Sequence, residues 1–426
     1  MKTQSYESCD QLQIFSSDWV VPVSGEVIAD GAVVVEKGRI LAVGPRCTLL
    51  KQFSDGIELY CRAVLMPGLV NCHTHLELSW LKGKMEPGKY GKFTDWISAL
   101  IKKRGEKGEA GQEEYGTAFS TVLRDLYNSG VGAVVDTGNT IVPDLHGKQM
   151  EGQSPFLLRL VEYIAPTKEI EADLFTLIEN HKNKNKNKNR INPATAHAVY
   201  STSPRIIQLL KKRSLEQNHL FSIHTAESKS EVEFVRTGKG EFRSFLEQLG
   251  RLDGTLDFSA GKFSSVIEYL DYLDVLDERT LLVHCVHISE NDIDLIRRRG
   301  AIVCLCPGSN RFLDVGRPPV VEMVRAGIPL VLGTDSFASN TKVDLWEEMR
   351  LLHEMYEELH AAEILHMATR GVMIPGYEDQ VGIIEPGRLV KLLQVSSPEL
   401  RQCRDGYEVV KELVSGGRPA EISWIV

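Results

Sequence analysis

His73 and His75 stand one residue apart at the end of an apolar run, in the stretch LMPGLVNCHTHLELSWL from Leu65 to Leu81. Side chains alternate faces along a strand, so residues i and i+2 point the same way. Two imidazoles side by side at a strand end can share one cation. Other polar groups end comparable runs further on. His224 closes Leu220–His224, and Glu227 comes three residues later. His284 closes Leu281–His284, and His287 just beyond it reads as shielding or surface. Asp335 follows Val331-Leu332-Gly333-Thr334. It could cap the following segment, a task open also to Ser339 or Asn340.

Imidazole nitrogens with one carboxylate suit a divalent ion, zinc first and iron or manganese as alternatives. His73, His75, His224 and Asp335 form that set. Catalytic zinc usually has three protein ligands, so Asp335 is either an extra ligand or mainly a base. A bound cation can lower the pKa of water from about 15.7 to about 7. Asp335 can take the proton of that water. Glu227 can protonate the atom that gains charge, and His284 can hydrogen-bond the tetrahedral adduct. The expected chemistry is metal-assisted hydrolysis at an sp² carbon.

These residues must be held at strand ends. Strand-length apolar runs recur at Leu65–Val70, Ala133–Asp136, Leu157–Ile164, Thr195–Val199, Leu220–His224, Leu281–His284, Ile302–Leu305 and Leu330–Gly333, separated by helix-length stretches. That rhythm predicts an α/β chain folded as a closed (β/α)8 TIM-type barrel, with active residues at the C-terminal strand ends. An open doubly wound sheet is the competing topology, but it would want a Gly-rich phosphate loop, and neither GxGxxG nor GxxxxGK[ST] occurs. Short strands and turns before residue 62 and after 372 predict a small β-sandwich domain assembled from both chain ends. The expected division is 1–62, 63–371 and 372–426.

The totals bound the rest. The chain has 426 residues, an ordinary globular composition and a formal charge of −9. That charge argues against a nucleic-acid or anionic-membrane partner. The repeat NHKNKNKNKN from Asn180 to Asn189 then reads as a solvated loop or frayed helix end, not a nucleic-acid tract. The eight cysteines show no regular framework, as expected for reduced thiols in a cytoplasmic protein. The first residues lack the apolar core of a signal peptide, and no apolar run approaches membrane-spanning length.

The segments PGLVNCHTH, HTAES, HCVH and GTDS, in this order, resemble the amidohydrolase superfamily. VVEKGRILAVG near the start and VGIIEPGRL near the end resemble its two-part β-domain. The resemblance implies a small-molecule substrate, the barrel, the metal and the roles given above; a homodimer is common among relatives. A Glu three residues after the strand-five His resembles the deaminase and chlorohydrolase branch. Strand four carries no Lys to bridge two metals, so one is expected. In that branch the strand-four His is a substrate contact, which would be His197; it could equally be a packed histidine. HTHLELSWLKG, CPGSNRFL and GTDSFASN resemble aminodeoxyfutalosine deaminases and relatives acting on methylthioadenosine or adenosylhomocysteine. Gly308 departs from them, since a bulkier residue is usual there. So does Val390-Lys391-Leu392, where Ala-Asp-Leu is usual.

Glu77, Trp80 and Arg311 fall near the expected pocket mouth. Each has a second reading: a solvated helix-start carboxylate for Glu77, core or lid packing for Trp80, an ordinary surface position for Arg311. The expected activity is a metal-dependent aminohydrolase releasing ammonia from a purine-like ring or an adenine nucleoside derivative. Hydrolytic dechlorination and cyclic-amide hydrolysis use the same machinery, and a silent ligand-binding barrel is the alternative from another class.

Overall fold

A computed structural model describes residues 11–107, 112–139, 154–184, 193–256, 258, 261–370 and 382–425. Strands β1 (Gln13–Val20), β2 (Ile28–Glu36), β3 (Arg39–Pro45) and β4 (Ile57–Pro67) open the chain. Eight strands follow: β5 (Leu69–Thr74), β6 (Val131–Gly138), β7 (Phe156–Tyr163), β8 (Ala194–Ala196), β9 (Phe221–Thr225), β10 (Thr280–His284), β11 (Ile302–Leu305) and β12 (Leu330–Leu332). Strands β13 (Leu392–Ser396) and β14 (Glu421–Trp424) close it.

The chain ends meet in one six-stranded sheet, ordered β14-β13-β4-β1-β2-β3. It is a single sheet where two facing ones were expected. Leu49, from the helix Arg46–Gln52, packs with Ile14, Ala32 and Val34 on one side. Phe15, Val33, Val35, Ile40 and Leu65 form a second core with Ile384 and Leu392. Leu65 and Met66 pair with β13 in this sheet. They therefore do not open the barrel, whose first strand starts at Leu69 because Gly68 lets the chain pass under Trp424: a Cβ there would lie 2.6 Å from that indole.

Strands β5 to β8 and β9 to β12 are all parallel, in two runs of four. Their residues are almost wholly buried, as expected when both faces of a parallel sheet are covered. Hydrogen bonds join the runs at both seams. His224 N donates to His197 O (2.9 Å), and Thr334 N donates to His73 O (3.0 Å). The fold is thus the eight-stranded α/β barrel with a second, smaller sheet. Val70, Cys72, Ala133, Val135, Leu160, Val283, Cys304 and Val331 fill its interior. Gly333 is required at the second seam: a Cβ there would sit 2.8 Å from both His73 Cβ and His73 O.

The stretch 180–189 begins inside the helix Lys168–Lys184, and its remainder lies outside the described residues, as does 371–381. No helix among the described residues is long and apolar enough to cross a membrane.

Behind the strand ends, Glu348 ties two segments together. Its Oε2 accepts from Gly308 N (2.7 Å), and its Oε1 accepts from Asn340 Nδ2 (2.8 Å). This explains Gly308, because a Cβ there would fall 2.5 Å from both Asn340 Nδ2 and Glu348 Oε1. Burial pushes the Glu348 carboxyl up to about 8, against the pull of the two N–H donors. The folded chain then holds a proton that the unfolded chain has lost once pH passes 4.5, the ordinary value. That contribution is fully present below the unfolded value and is lost as pH rises through the folded one. Glu348→Gln should therefore lose less stability than the parent chain between about pH 6 and about pH 9. Denaturant unfolding at the two pH values checks this, and equal losses would contradict it.

Candidate active site

The strand ends bring the separated histidines together. His73 closes on His75 and His224 with ring centroids 4.8 and 4.9 Å away. His75 Nε2 lies 3.3 Å from His224 Nε2 and 3.7 Å from Asp335 Oδ1. One donor atom each from His73, His75 and His224 lies within 4.8 Å of the others, and the same holds for Glu227, His284 and Asp335. Simple alternation is not what pairs His73 with His75. The register of β5 breaks between Asn71 and Thr74, and His75 sits past the strand, leading into the 3-10 turn Leu76–Leu81.

The cluster is built as a ligand set. His73 is fully buried, and neither of its ring nitrogens has a hydrogen-bond partner. An unpaired buried polar group is costly unless something else satisfies it. Burial, followed by the imidazoles of His75, His284 and His197, holds His73 well below the usual histidine range. Burial and the neighbouring imidazoles hold His224 down as well. Neutral rings with free lone pairs are what a cation needs. The second nitrogen of His224 is already used: Nδ1 donates to His197 O at 3.0 Å, which aims Nε2 at the cluster.

The two carboxyl groups are separated by their surroundings. Burial alone would raise Asp335. The imidazoles of His75, His284 and His73, with the Ser309 hydroxyl, outweigh it and hold the group at about 2. Ser309 Oγ and Ser339 Oγ both donate to Oδ2 at 2.7 Å, leaving Oδ1 to face His75. Glu227 has the opposite setting. Burial first, then the carboxylates Asp335 and Glu231, push it well up. His284 Nε2 stands 3.5 Å from Glu227 Oε1, and its Nδ1 donates to Asn310 Oδ1 at 3.0 Å.

The backbone carrying these groups is strained. Ala226, His284, Cys285 and Asp335 have φ of 50°, 75°, 48° and 54°. This left-handed region is unusual for residues with a Cβ, and such strain collects at functional sites. Glu231 steadies one bend, its carboxylate accepting from Ala226 N (3.1 Å) and Glu227 N (2.8 Å).

A cavity of about 350 Å³ opens onto the cluster. His197 and Glu77 line it, as do His75, His224, Glu227, His284 and Asp335. His197 is held by Ser201 (Nδ1 to Oγ, 2.7 Å), and burial lowers it to about 3. Glu77 is buried with Arg104 Nη2 3.3 Å away. Trp80 is a packing residue, buried with Leu78, Leu81, Met85 and Phe312 and tilted on Tyr115. Arg311 is exposed and borders a different cavity, with Arg317 and Tyr356. The helix Pro307–Leu313 turns its buried Ser309 and Asn310 to the site and Arg311 away from it.

Sequence reasoning missed several groups here. Glu162, near the end of β7, lines the cavity 3.6 Å from His224 Nδ1, with an unpartnered Oε1 and a carboxyl pushed by burial to about 7. Asp136, near the end of β6, is buried 3.5 Å from Arg159 and accepts from Leu76 N. Both are polar residues closing apolar strands, the signal that revealed His224 and Asp335. Arg104 lies on the helix Phe93–Lys107, which carries no such signal.

Residues 64–416 match the model of the amidohydrolase family. The chain belongs to that family. A 5-methylthioadenosine/S-adenosylhomocysteine deaminase of Pelotomaculum thermopropionicum is 27% identical over 412 residues, spanning 94% of this chain and 88% of that one. The structure of Helicobacter pylori aminofutalosine deaminase in complex with methylthio-coformycin superposes with a TM-score of 0.79 at 21% identity, covering 97% of this amidohydrolase and 98% of that chain. An adenosine deaminase of Xanthomonas campestris with bound zinc gives 0.73 at 24% identity, covering 98% and 92%. The donor set of this amidohydrolase fits one divalent metal ion.

A chelator-stripped sample should regain thermal stability when zinc is added. The gain is about 2.7 kcal/mol at a hundredfold excess over the dissociation constant. His73→Ala should lose most of that gain. A melting temperature indifferent to zinc in the parent chain would contradict the ligand assignment.

Proposed function

We propose that this amidohydrolase deaminates an adenine nucleoside: water replaces the exocyclic amine at C6 of the purine, and ammonia leaves. The observation that carries this reading is the opposed state of two neighbouring carboxyl groups, Glu227 held protonated and Asp335 held ionised, above one histidine cluster. An acid and a base side by side at neutral pH are what addition of water across a C=N bond requires. The names of the deaminase relatives support the choice of an adenine ring.

His73, His75, His224 and Asp335 would hold the metal ion. When bound, the ion supplies Lewis-acid activation of water at neutral pH. The other steps belong to side chains. Glu227 gives its proton to N1 of the purine, which makes C6 electrophilic. Asp335 takes one proton from the attacking water as the C6–O bond forms. It passes that proton to the amine, the C6–N bond breaks, and NH3 departs. The remaining hydroxyl proton returns to Glu227, so acid and base are both restored. Ser309 and Ser339 fix the Asp335 carboxylate while its free oxygen works. His284, its Nδ1–H fixed on Asn310, leaves the Nε2 lone pair to accept a hydrogen bond from the attacking water or the hydroxyl of the adduct. His197 and Glu162 line the same cavity and are placed to hold the ring.

Ammonia release from adenosine and 5′-substituted adenine nucleosides tests the reading. Glu227→Gln and Asp335→Asn should each lower kcat about 10²- to 10⁴-fold, the share typical of general acid–base catalysis. Undiminished turnover in either variant would sink the assignment. Faster chloride release from a chlorotriazine than ammonia release from any nucleoside would favour the dechlorinating branch.

A further inference from the structure

A second cavity, of about 390 Å³ against about 350 Å³ for the catalytic one, borders the helix Pro307–Leu313, and the two share no lining residue. Leu305, Leu351 and Leu352 give it a buried apolar floor, with Met355 beside them at the end of the helix Leu345–Met355. Arg311 and Arg317 stand exposed at its rim. Neither guanidinium has a hydrogen-bond or ion-pair partner among the described residues, nor has the Asp314 carboxylate that lines the cavity with them. The Glu354 carboxylate, also on the lining, is already taken by Arg350.

The turn carrying these groups is held from both sides. Asp314 N donates to Arg311 O (3.3 Å) and Val315 N to Asn310 O (3.2 Å), while Asp314 and Gly316 have φ of 52° and 117°. The chain thereby doubles back at the helix end and returns Arg317 to the cavity that Arg311 borders. His287 Nε2 donates to Val315 O at 2.8 Å, and Tyr356 Oη donates to Pro318 O at 2.6 Å. Two like charges held at one opening favour an anion between them.

Two planar guanidinium forks match the dianion of a phosphate monoester better than a single carboxylate. Asp314 disfavours a bare anion and can accept hydroxyl hydrogen bonds from the organic part, whose carbon atoms meet the apolar floor. The same cavity reaches the catalytic wall. Asn310 borders it, and Asn310 Oδ1 accepts from His284 Nδ1 at 3.0 Å. The Asn310 Nδ2 is buried with no partner among the described residues. Ser309, one residue earlier, holds Asp335. We propose that this cavity is an effector site for a phosphate monoester of a hydroxylated carbon group, and that its occupancy is felt at His284 through the helix Pro307–Leu313. An ester bridging Arg311 and Arg317 ties the helix to its own C-terminal turn, which restrains Asn310 and Ser309 and favours the ordered catalytic wall. Binding of the ester is independent of the deaminase reading; the effect on rate rests on it.

Calorimetry on the metal-loaded enzyme compares ribose 5-phosphate, inorganic phosphate and ribose. Ribose 5-phosphate should bind most tightly and ribose not at all. The Arg311→Ala/Arg317→Ala double variant should bind it at least about 100-fold more weakly, from the loss of two hydrogen bonds to a charged group. Without the ester, that variant should keep kcat and KM for the nucleoside within about twofold of the parent. In the parent, saturating ribose 5-phosphate should raise kcat for ammonia release at least about twofold and leave KM unchanged. The double variant should not respond. Equal binding by parent and double variant would overturn the site, as would tighter binding of ribose or of bare phosphate. A raised KM would place the ester in the catalytic cavity and overturn it too. Binding with no change in kcat would overturn the coupling. If no nucleoside yields ammonia, the deaminase reading is what fails. The ring nitrogen-15 resonances of His284, assigned through His284→Gln, then read the coupling: they should move when the ester binds the parent and stay in the double variant. Resonances that stay in the parent as well would overturn it.

Discussion

Four imidazoles crowded into a buried pocket are the constraint on which the site depends. The rings of His75, His224 and His284 have centroids 4.8 to 6.2 Å from that of His73. They cannot all be charged, because each proton added would repel the next in a medium that screens poorly. His73 accordingly stays neutral with both nitrogens unsatisfied. An apolar side chain would fill that space at less cost. The arrangement fits a divalent cation, which would convert unmet lone pairs into bonds with Asp335 beside it as a counter-charge.

Holding such a cluster together requires a frame that does not relax. The barrel supplies it through close backbone approach at both seams and through tight bends after β9, β10 and β12. The bends are where Ala226, His284, Cys285 and Asp335 adopt left-handed backbone. Each bend is backed by hydrogen bonds from outside the cluster. Glu231 holds the Ala226–Glu227 peptide groups, Asn310 holds the His284 ring, and Ser309 and Ser339 hold the Asp335 carboxylate. Asn71 accepts from Thr334 N and donates to Thr334 Oγ1, linking β5 to the last bend. The helix Pro307–Leu313 supplies two of these supports, and Glu348 fixes its start. Strain at the reacting groups is thereby offset by ordinary hydrogen bonding one layer out.

The sequence made the barrel and the residues of its central cluster legible because buried parallel strands are continuous apolar runs, and a polar residue closing one is conspicuous. His224, His284 and Asp335 stood out for that reason. The start of the barrel was misplaced because Leu65 and Met66 are as apolar as Leu69 and Val70. Nothing in their composition tells that the first pair belongs to the small sheet and the second to the barrel. Arg311 and Asn310 show a second limit. They are neighbours on one short helix and both border a separate cavity, yet only the buried Asn310 also reaches the cluster, and the helix phase decides that. Arg104 was illegible for a further reason. It is an ordinary charged residue in a helix, and its position in the cavity depends on how that helix lies across the barrel mouth.

Glu227 and Asp335 show how one fold gives the same functional group two opposite electrostatic settings. Both are buried, and burial raises both. What separates them is the charge each faces. Asp335 looks onto three imidazoles and receives two hydroxyl donors, so ionisation is favoured. Glu227 looks onto Asp335 and has Glu231 behind it, so ionisation would add a third negative charge to the same corner. Burial and the nearby Asp335 carboxylate act together to push Glu227 up, so the states of the two carboxyl groups are coupled. A cation bound by the histidines would ease the repulsion on Glu227 while deepening the preference of Asp335 for its ionised state. Loading of the metal and readiness of the proton donor would in this sense be opposed, and burial, the first cause that pushes Glu227 up, still acts when the ion is present.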